Sequence, residues 1–165
     1  KNFELNLKKD HQVKQVGSTD KETSKQVDSF QSSKNSGQEN KGNEAGIHTQ
    51  LKEVSKGKVV FLGQPKFDAL NPVGKLHGGW YGAALDSAMA CAVTTMLGKG
   101  FFSTTLEYKV NIMRPIGLGS KVEIIGTVQH VGRSTAVANG DIFGLDDKKL
   151  YATASTTCLV MEVEN

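Results

Sequence analysis

The alternation of apolar and polar residues is clearest in the second half of the chain. In the run TTLEYKVNIM, residues 104–113, apolar side chains fall on one face of a strand and polar ones, including Thr105, on the other. The apolar set is Leu106, Tyr108, Val110 and Ile112. This period of two is typical of a half-buried strand. Three more strand-like runs follow at residues 121–131, 134–143 and 150–162, so the pattern predicts an antiparallel meander of four strands.

A single helix is predicted between these strands and an earlier strand, KVVFLG, at Lys58–Gly63. The helix covers about residues 79–97 and is ended by Gly98 and Gly100. Its small residues would let a curved sheet approach its backbone; they are Gly82, Ala83, Ala84, Ala88, Ala90 and Ala92. The element order β-α-β-β-β-β therefore predicts the α+β class, with an antiparallel sheet of five to six strands wrapped around one long central helix.

The N-terminal part of the chain differs in composition. Residues 1–44 are rich in Lys, Ser, Gln, Asn and Glu, and their few apolar residues offer too little surface to offset the entropy of ordering the chain. We therefore predict a disordered extension at residues 1–44, with one short helix possible near residues 20–31, followed by one domain at residues 45–165. A chain of 165 residues is long enough for one hydrophobic core and too short for two.

Charge and cysteine usage argue against several classes of function. The 20 basic and 17 acidic residues leave a formal charge of +3, and no basic run is interleaved with aromatic residues, so no nucleic-acid partner is predicted. No apolar run reaches the ~20 residues of a bilayer span, so no membrane partner is predicted. Cys91 and Cys158 lie far apart without metal-ligand spacing, which predicts no metal site and a reducing, cytoplasmic location.

Asp86 is the residue that the helix pattern explains least. The residues three and four positions away include no Lys or Arg, so no ion pair within the helix compensates its charge. An ionised carboxylate in a small-residue, apolar helix loses hydration and needs hydrogen-bond donors. Asp86 is therefore either a structural acid at an edge or interface, or a functional acid, and the pattern leaves both open.

The tripeptide His77-Gly78-Gly79 stands at the start of the predicted helix. Unpaired N–H groups and the positive end of the helix dipole favour an anion or a developing oxyanion there, although the same glycines could serve turn geometry alone. Gly78 precedes Asp86 by eight residues, or about 12 Å of helical rise, so both could reach one substrate only by lateral approach. A second subunit would supply that approach.

Taken together, these segments resemble a known enzyme family. The stretch ALNPVGKLHGGWYGAALDSAMACAV, residues 69–93, followed by FFSTTLEYKVNIMRPIGLGSKV, residues 101–122, is similar to the hotdog-fold acyl-CoA thioesterases of the phenylacetate-pathway, or PaaI-like, type. The resemblance covers about residues 46–163, and its combined pattern is specific. It implies the hotdog fold, a homodimer and, as a larger assembly, a homotetramer built as a dimer of dimers.

The resemblance also implies catalytic roles by position. Asp86 corresponds to the family's helix carboxylate, which is a general base toward water or, in some members, a proposed nucleophile. Gly78 would supply the backbone N–H that polarises the thioester carbonyl, and the Asn71 side chain would hold the same oxygen or the water. Thr105 would orient the nucleophilic water and would come from the partner subunit. No G-x-S-x-G motif of a Ser-His-Asp hydrolase is present.

Two turns are the expected binding positions for the substrate. His77, next to Gly79, is interpreted mainly as a donor or cap at the helix turn. Arg133 and Ser134, between two predicted strands, are the candidates for binding CoA, although a lone Arg in a turn can equally be solvated. Three residues could shape an acyl pocket or simply belong to the core: Trp80, Tyr81 and Met89. CoA is part of the substrate, so no separate cofactor is expected.

The expected function is hydrolysis of an aryl or medium-chain acyl-CoA to the free acid and CoA. One alternative is a non-catalytic acyl-CoA-binding module, which would bind its ligand tightly and release no CoA. The other is a hydratase acting on an enoyl thioester, which would form a 3-hydroxyacyl product and ordinarily brings a histidine with its acid. No histidine stands beside Asp86 in the sequence.

Overall fold

The computed structural model describes residues 47–163. The extension and the short helix predicted within residues 1–44 lie outside this part of the chain. Six strands, one short 3-10 helix at Phe67–Ala69 and one α-helix, α1, at Gly78–Thr94 are present in it. The strands are β1 Thr49–Ser55, β2 Lys58–Gly63, β3 Phe101–Ile112, β4 Val122–Val131, β5 Thr135–Gly144 and β6 Leu150–Glu162.

All six strands form one antiparallel sheet in the order β1-β2-β4-β5-β6-β3. Helix α1 packs across one face of this sheet, so the predicted α+β architecture is confirmed. Strands β2 and β6 begin and end where the sequence pattern places them. Helix α1 ends three residues before the predicted residue 97, because the N–H groups of Met96 and Leu97 bond to carbonyls three residues back, at Val93 and Thr94, and no longer four residues back.

The sequence pattern predicts five strands and does not predict β1. Its sequence TQLKEVS is polar on both faces, and only Val54 is buried. An edge strand whose two faces are both largely solvated has no period-two apolar signal. The sheet therefore has six strands, the upper end of the predicted range.

The predicted four-strand meander is correct for β4, β5 and β6 and wrong for β3. Strand β3 pairs with β6 rather than β4, with Thr105 opposite Cys158 in the register. The reason is that α1 carries the chain across the sheet face from β2 to the far edge before β3 begins. The connection after β3 then leads to β4, which lies between β2 and β5. Tyr81 holds this connection, because its hydroxyl accepts a hydrogen bond from the Ile116 N–H at 2.8 Å. Burial raises the pKa of Tyr81.

Close approach between helix and sheet depends on strand glycines as well as on the small residues of α1. A β-carbon built on Gly126 of β4 would lie 2.1 Å from the carbonyl oxygen of Ala88, a backbone atom of the helix. One built on Gly140 of β5 would lie 3.0 Å from side-chain atoms of Leu85 and Met89. The helix therefore lies directly on the sheet.

Within residues 47–163, no helix is long and apolar enough to cross a membrane.

Candidate active site

Helix α1 buries one side against the sheet and leaves a half-buried stripe on the other. The stripe consists of Ala83, Asp86, Ser87, Ala90 and Thr94. Asp86 is its only ionisable member. The acid is thus neither in the core nor on a fully solvated face, which is the edge position that its anomalous sequence context suggested.

Strand β3 runs alongside α1 in the opposite direction, and three contacts align the two. At the helix start, a β-carbon built on Gly78 would lie 3.8 Å from Ile112. One helical turn later, a β-carbon built on Gly82 would lie 3.1 Å from the Tyr108 hydroxyl. After another turn, Asp86 Oδ1 accepts a hydrogen bond from the Thr105 hydroxyl at 2.8 Å. Because residues four apart share a helix face, Gly78, Gly82 and Asp86 form one row that faces β3.

A β-bulge in β3 makes this alignment possible. The register with β6 shifts between Thr105 and Glu107, so Leu106 is the extra residue, and its side chain is 57% exposed. A bulge of this kind reverses the alternation of side chains on its two sides. Thr105 and Tyr108 therefore both face α1, whereas the simple alternation predicted that they would lie on opposite faces.

The surroundings of Asp86 keep its carboxylate free of ion pairs. No Lys, Arg or His in the described part of the chain lies within ion-pair distance of it. Beneath the Asp86–Thr105 pair, the fully buried Cys158 lies opposite Thr105 on β6. Burial raises the pKa of the Cys158 thiol, and the charge of Asp86 adds to this shift, so the thiol stays neutral. The Thr105 hydroxyl is the one side-chain donor to Asp86 within residues 47–163.

This pairing changes the assignment of residues to subunits. The resemblance placed Thr105 in the partner subunit. The hydrogen bond to Asp86 forms within one chain, so the acid and the hydroxyl that orients it belong to the same protomer.

His77 is the N-cap of α1. Its Nδ1 atom accepts a hydrogen bond from the Gly79 N–H at 2.9 Å, in agreement with the cap interpretation. The Gly79 N–H is therefore used by the protein. Gly78 occupies the first helical position, where an N–H group has no acceptor within the helix. Of the two glycines, Gly78 is the one that can offer its N–H to a ligand.

Asn71 lies in the turn that leads to this helix start. Its Oδ1 atom accepts hydrogen bonds from the N–H groups of Val73 at 3.1 Å and Lys75 at 3.0 Å. The turn is held beside the helix because the His77 N–H donates to the Ala69 carbonyl at 2.9 Å. With its oxygen engaged, the Asn71 side chain has its NH₂ group left as a donor for another molecule.

Comparison with known proteins relates the chain to thioesterases. A model of the thioesterase superfamily matches residues 73–151, a span that contains the row from Gly78 to Asp86 and strand β3. The phenylacetic acid degradation protein PaaI from Thermus thermophilus, solved as a single-residue variant, is 26% identical with a TM-score of 0.62, over 68% of this chain and 93% of that protein. The chain thus resembles the PaaI-like thioesterases.

Two further solved structures share the fold of this chain. A thioesterase family protein from Silicibacter pomeroyi is 23% identical, with a TM-score of 0.71 over 85% of this chain and 98% of that one. A hypothetical thioesterase from Streptococcus pneumoniae, solved with coenzyme A, is 24% identical, with a TM-score of 0.65 over 72% of this chain and 92% of that one. No curated protein sequence matches the chain significantly.

The second predicted binding turn is exposed and lies at the other end of the sheet. Cys158 of β6 pairs with Ala136 of β5 on one side and with Thr105 of β3 on the other. Arg133 and Ser134 precede Ala136 in the chain, so their turn lies at the end of the sheet near Thr105. Gly78 lies at the opposite end, beside Ile112. Within one protomer, Arg133 and Ser134 are therefore not brought together with His77 and Gly79.

A cavity of about 370 Å³ opens beside the helix start. Its walls are mainly apolar and consist of Ile47, Asp68, Ala69, Leu70, His77, Gly79, Trp80 and Ala83. Of the three predicted pocket residues, only Trp80 lines it, whereas Tyr81 and Met89 are buried core. The sequence pattern missed Ile47, Ala69 and Leu70, because a turn that folds back onto a helix leaves no periodic signal.

No cluster of three or more His, Cys, Asp or Glu side chains that could hold a metal ion occurs among the described residues.

Proposed function

We propose that this protein hydrolyses an acyl-CoA thioester to the free acid and CoA, at a site formed between two copies of the chain. The observation that carries the proposal is the hydrogen bond from Thr105 to Asp86, a half-buried carboxylate without an ion pair in residues 47–163. A carboxylate held in this way can accept a proton from water, and Thr105 fixes its orientation. The coenzyme A in the Streptococcus pneumoniae relative supports the choice of substrate class.

In the proposed reaction, Asp86 accepts a proton from water as the water oxygen attacks the thioester carbon. The carbonyl oxygen gains negative charge, which the Gly78 N–H stabilises by a hydrogen bond, with the Asn71 amide as a further donor. The C–S bond then breaks, the electron pair leaves on the sulfur, and the proton held by Asp86 passes to the thiolate. A thiolate is a good leaving group, so one carboxylate and an oxyanion hole suffice. Direct attack by Asp86 on carbon remains the alternative.

Two copies are needed because of the distance along the helix. Gly78 and Asp86 are eight residues apart on α1, or about 12 Å by helical rise, too far for one thioester group to contact both. In a homodimer, the helix start of one protomer faces the Asp86 of its partner. The exposed edge of β3 supports this arrangement, and a dimer of dimers is the larger assembly that we propose.

The cavity at the helix start is the proposed acyl pocket. Its volume of about 370 Å³ and apolar walls suit an aryl or medium-chain acyl group. The CoA phosphates need cationic groups, and Arg133, with Ser134 beside it in an exposed turn, is our candidate. His77 contributes by holding the oxyanion turn rather than by proton transfer. A cytoplasmic location stays a prediction.

The test is CoA release by the wild-type protein and by Asp86→Asn across a panel of short, medium, long and aryl acyl-CoAs. We expect the variant to lose about 100-fold or more in kcat, the usual contribution of a general base, with circular dichroism and oligomeric state unchanged. Asp146→Asn, in the exposed turn before β6, is the matched control and should retain full activity.

Two results would contradict the proposal. Near-normal hydrolysis by Asp86→Asn of every active substrate would exclude the catalytic role of the acid. Tight binding of acyl-CoA by the wild-type protein without release of CoA from any substrate would favour a binding module instead.

A further inference from the structure

Tyr108 is a polar residue of β3 that lies beside the row of Gly78, Gly82 and Asp86 and has no role in the proposed reaction. Its hydroxyl lies over Gly82, where a β-carbon would be 3.1 Å from the oxygen. Any side chain at position 82 would displace the Tyr108 ring from this position. The Tyr108 hydroxyl has no hydrogen-bond partner among residues 47–163, and the side chain is 45% exposed. A phenol in this position can therefore donate to another molecule.

The geometry of the helix directs Asp86 toward the same place. Side chains on an α-helix lean toward its N-terminus and cover the preceding turn. The turn that precedes Asp86 on the β3 side begins at Gly82, which is the residue under the Tyr108 hydroxyl. The Thr105 hydroxyl closes the other side of the carboxylate. The Asp86 carboxylate and the Tyr108 hydroxyl are thus neighbours on the side of α1 that faces β3.

Given the proposed thioesterase reaction, we propose that Tyr108 is a further catalytic residue, whose hydroxyl donates a hydrogen bond to the thioester carbonyl oxygen. The carbon attacked by water has to lie close to Asp86, and its oxygen then lies beside the Tyr108 hydroxyl, one helical turn away. Tyr108 supplies this donor from the same protomer as Asp86, whereas Gly78 supplies its N–H from the partner. The phenol keeps its proton throughout, so the hydrolysis balances as water, acyl-CoA, acid and CoA.

A donor of this kind acts more strongly in the transition state than in the ground state. The carbonyl oxygen is nearly neutral in the bound substrate and negative once water has added, so the hydrogen bond strengthens as the reaction proceeds. Loss of the hydroxyl should therefore lower kcat and leave KM nearly unchanged. A merely structural role for Tyr108 would instead change stability or substrate binding.

Tyr108→Phe is the direct test, because it removes only the hydroxyl. We expect kcat to fall by about 100-fold, the lower end of the range for one oxyanion donor, with KM and melting temperature unchanged. The matched control is Tyr151→Phe, which removes a hydroxyl that donates to Asp147 at 3.0 Å, outside the row on α1 and β3; it should retain wild-type kcat. An acyl-CoA analogue with a ketone in place of the thioester gives a second readout, since its carbonyl stretch should lie at lower frequency in the wild-type protein than in Tyr108→Phe.

The outcomes separate this inference from the proposed function. Suppose that the wild-type protein is active and Asp86→Asn is not. If Tyr108→Phe then keeps kcat within about twofold of the wild-type value, and the carbonyl frequency is unchanged, Tyr108 is not a donor. The thioesterase proposal stands in that case. If the wild-type protein releases no CoA at all, both fail together. Should Tyr108→Phe be unstable, Gly82→Ala tests the same contact, because its β-carbon displaces the hydroxyl; unchanged kcat and carbonyl frequency in that folded variant would equally overturn the inference.

Discussion

Asp86 is tolerated in a helix of small residues because its position combines partial solvent access with one dedicated donor. A carboxylate that loses part of its hydration needs compensation, and the Thr105 hydroxyl gives it at 2.8 Å. The compensation of the Asp86 carboxylate therefore depends on both Asp86 and Thr105. The β-bulge at Leu106 is what aims Thr105 at the helix, so a feature of the strand backbone determines the environment of an acid on another element.

Asp141 provides a test of charge burial away from the site. It lies on β5 between Ile125 and Thr153 in the register, and burial raises its pKa above 3.8. The folded state thus holds this proton to higher pH than the unfolded state, so stability falls as pH rises from 3.8 through the folded pKa. We expect Asp141→Asn to raise the melting temperature near neutral pH, with a gain that disappears below pH 3.8. Asp146→Asn is the control; a gain independent of pH would contradict the assignment.

At the scale of elements, the helix is held at one distance from the sheet by glycines on both partners. Gly126 meets the backbone of α1 at Ala88, and Gly82 on α1 meets the ring of Tyr108 on β3. These contacts fix the helix both against the centre of the sheet and beside its edge strand. The alignment of Gly78, Gly82 and Asp86 with β3 follows from this docking.

Gly126→Ala should therefore disrupt the docking. Its β-carbon would lie 2.1 Å from the Ala88 carbonyl oxygen, and a backbone atom of the helix cannot move aside without the helix. We expect a loss of about 3 kcal/mol or more in the free energy of unfolding, at the upper end for overpacking, measured by denaturant titration. Gly78→Ala is the matched control, since its β-carbon would be 3.8 Å from Ile112 and should leave stability within about 0.5 kcal/mol. Equal stability of the two variants would contradict this account.

Particular elements also indicate what the sequence could and could not predict. The sequence predicts β2 and β6 to the residue, because β2 is a continuous apolar run that is buried on both faces and β6 alternates between buried and more exposed residues. The polar edge strand β1 left no such signal. The resemblance and the chemistry of Asp86 and Gly78 predict both as site residues, and their roles stay a prediction. The partnership of Thr105 with Asp86 in one chain could not be predicted, because it depends on a bulge that a two-residue period does not reveal.

In the part of the chain that the structure describes, the sheet has two edge strands, β1 and β3, and β3 is the longer. Strand β3 pairs with β6 on one side only, over a length of 12 residues. Large apolar side chains are exposed along it and just after it: Phe101, Phe102, Leu106, Tyr108, Ile112 and Met113. A long, exposed, apolar edge strand is a surface for pairing with another chain. A second copy that pairs here would bring two helices side by side, as the proposed site requires.

The prediction for the whole molecule is that Leu106→Lys weakens the homodimer and reduces activity in parallel. Leu106 is 57% exposed, so the charge should leave the single chain folded, but a two-fold interface carries the substitution twice. Loss of about 1.5 to 3 kcal/mol of apolar burial per copy would weaken dimerisation by about 100-fold or more, measurable by light scattering over a dilution series. Leu118→Lys, at 55% exposure in the loop after β3, is the matched control and should remain dimeric and active. A wild-type protein that is monomeric at all concentrations yet fully active would contradict the two-copy site, because one chain would then complete the reaction without the partner's Gly78.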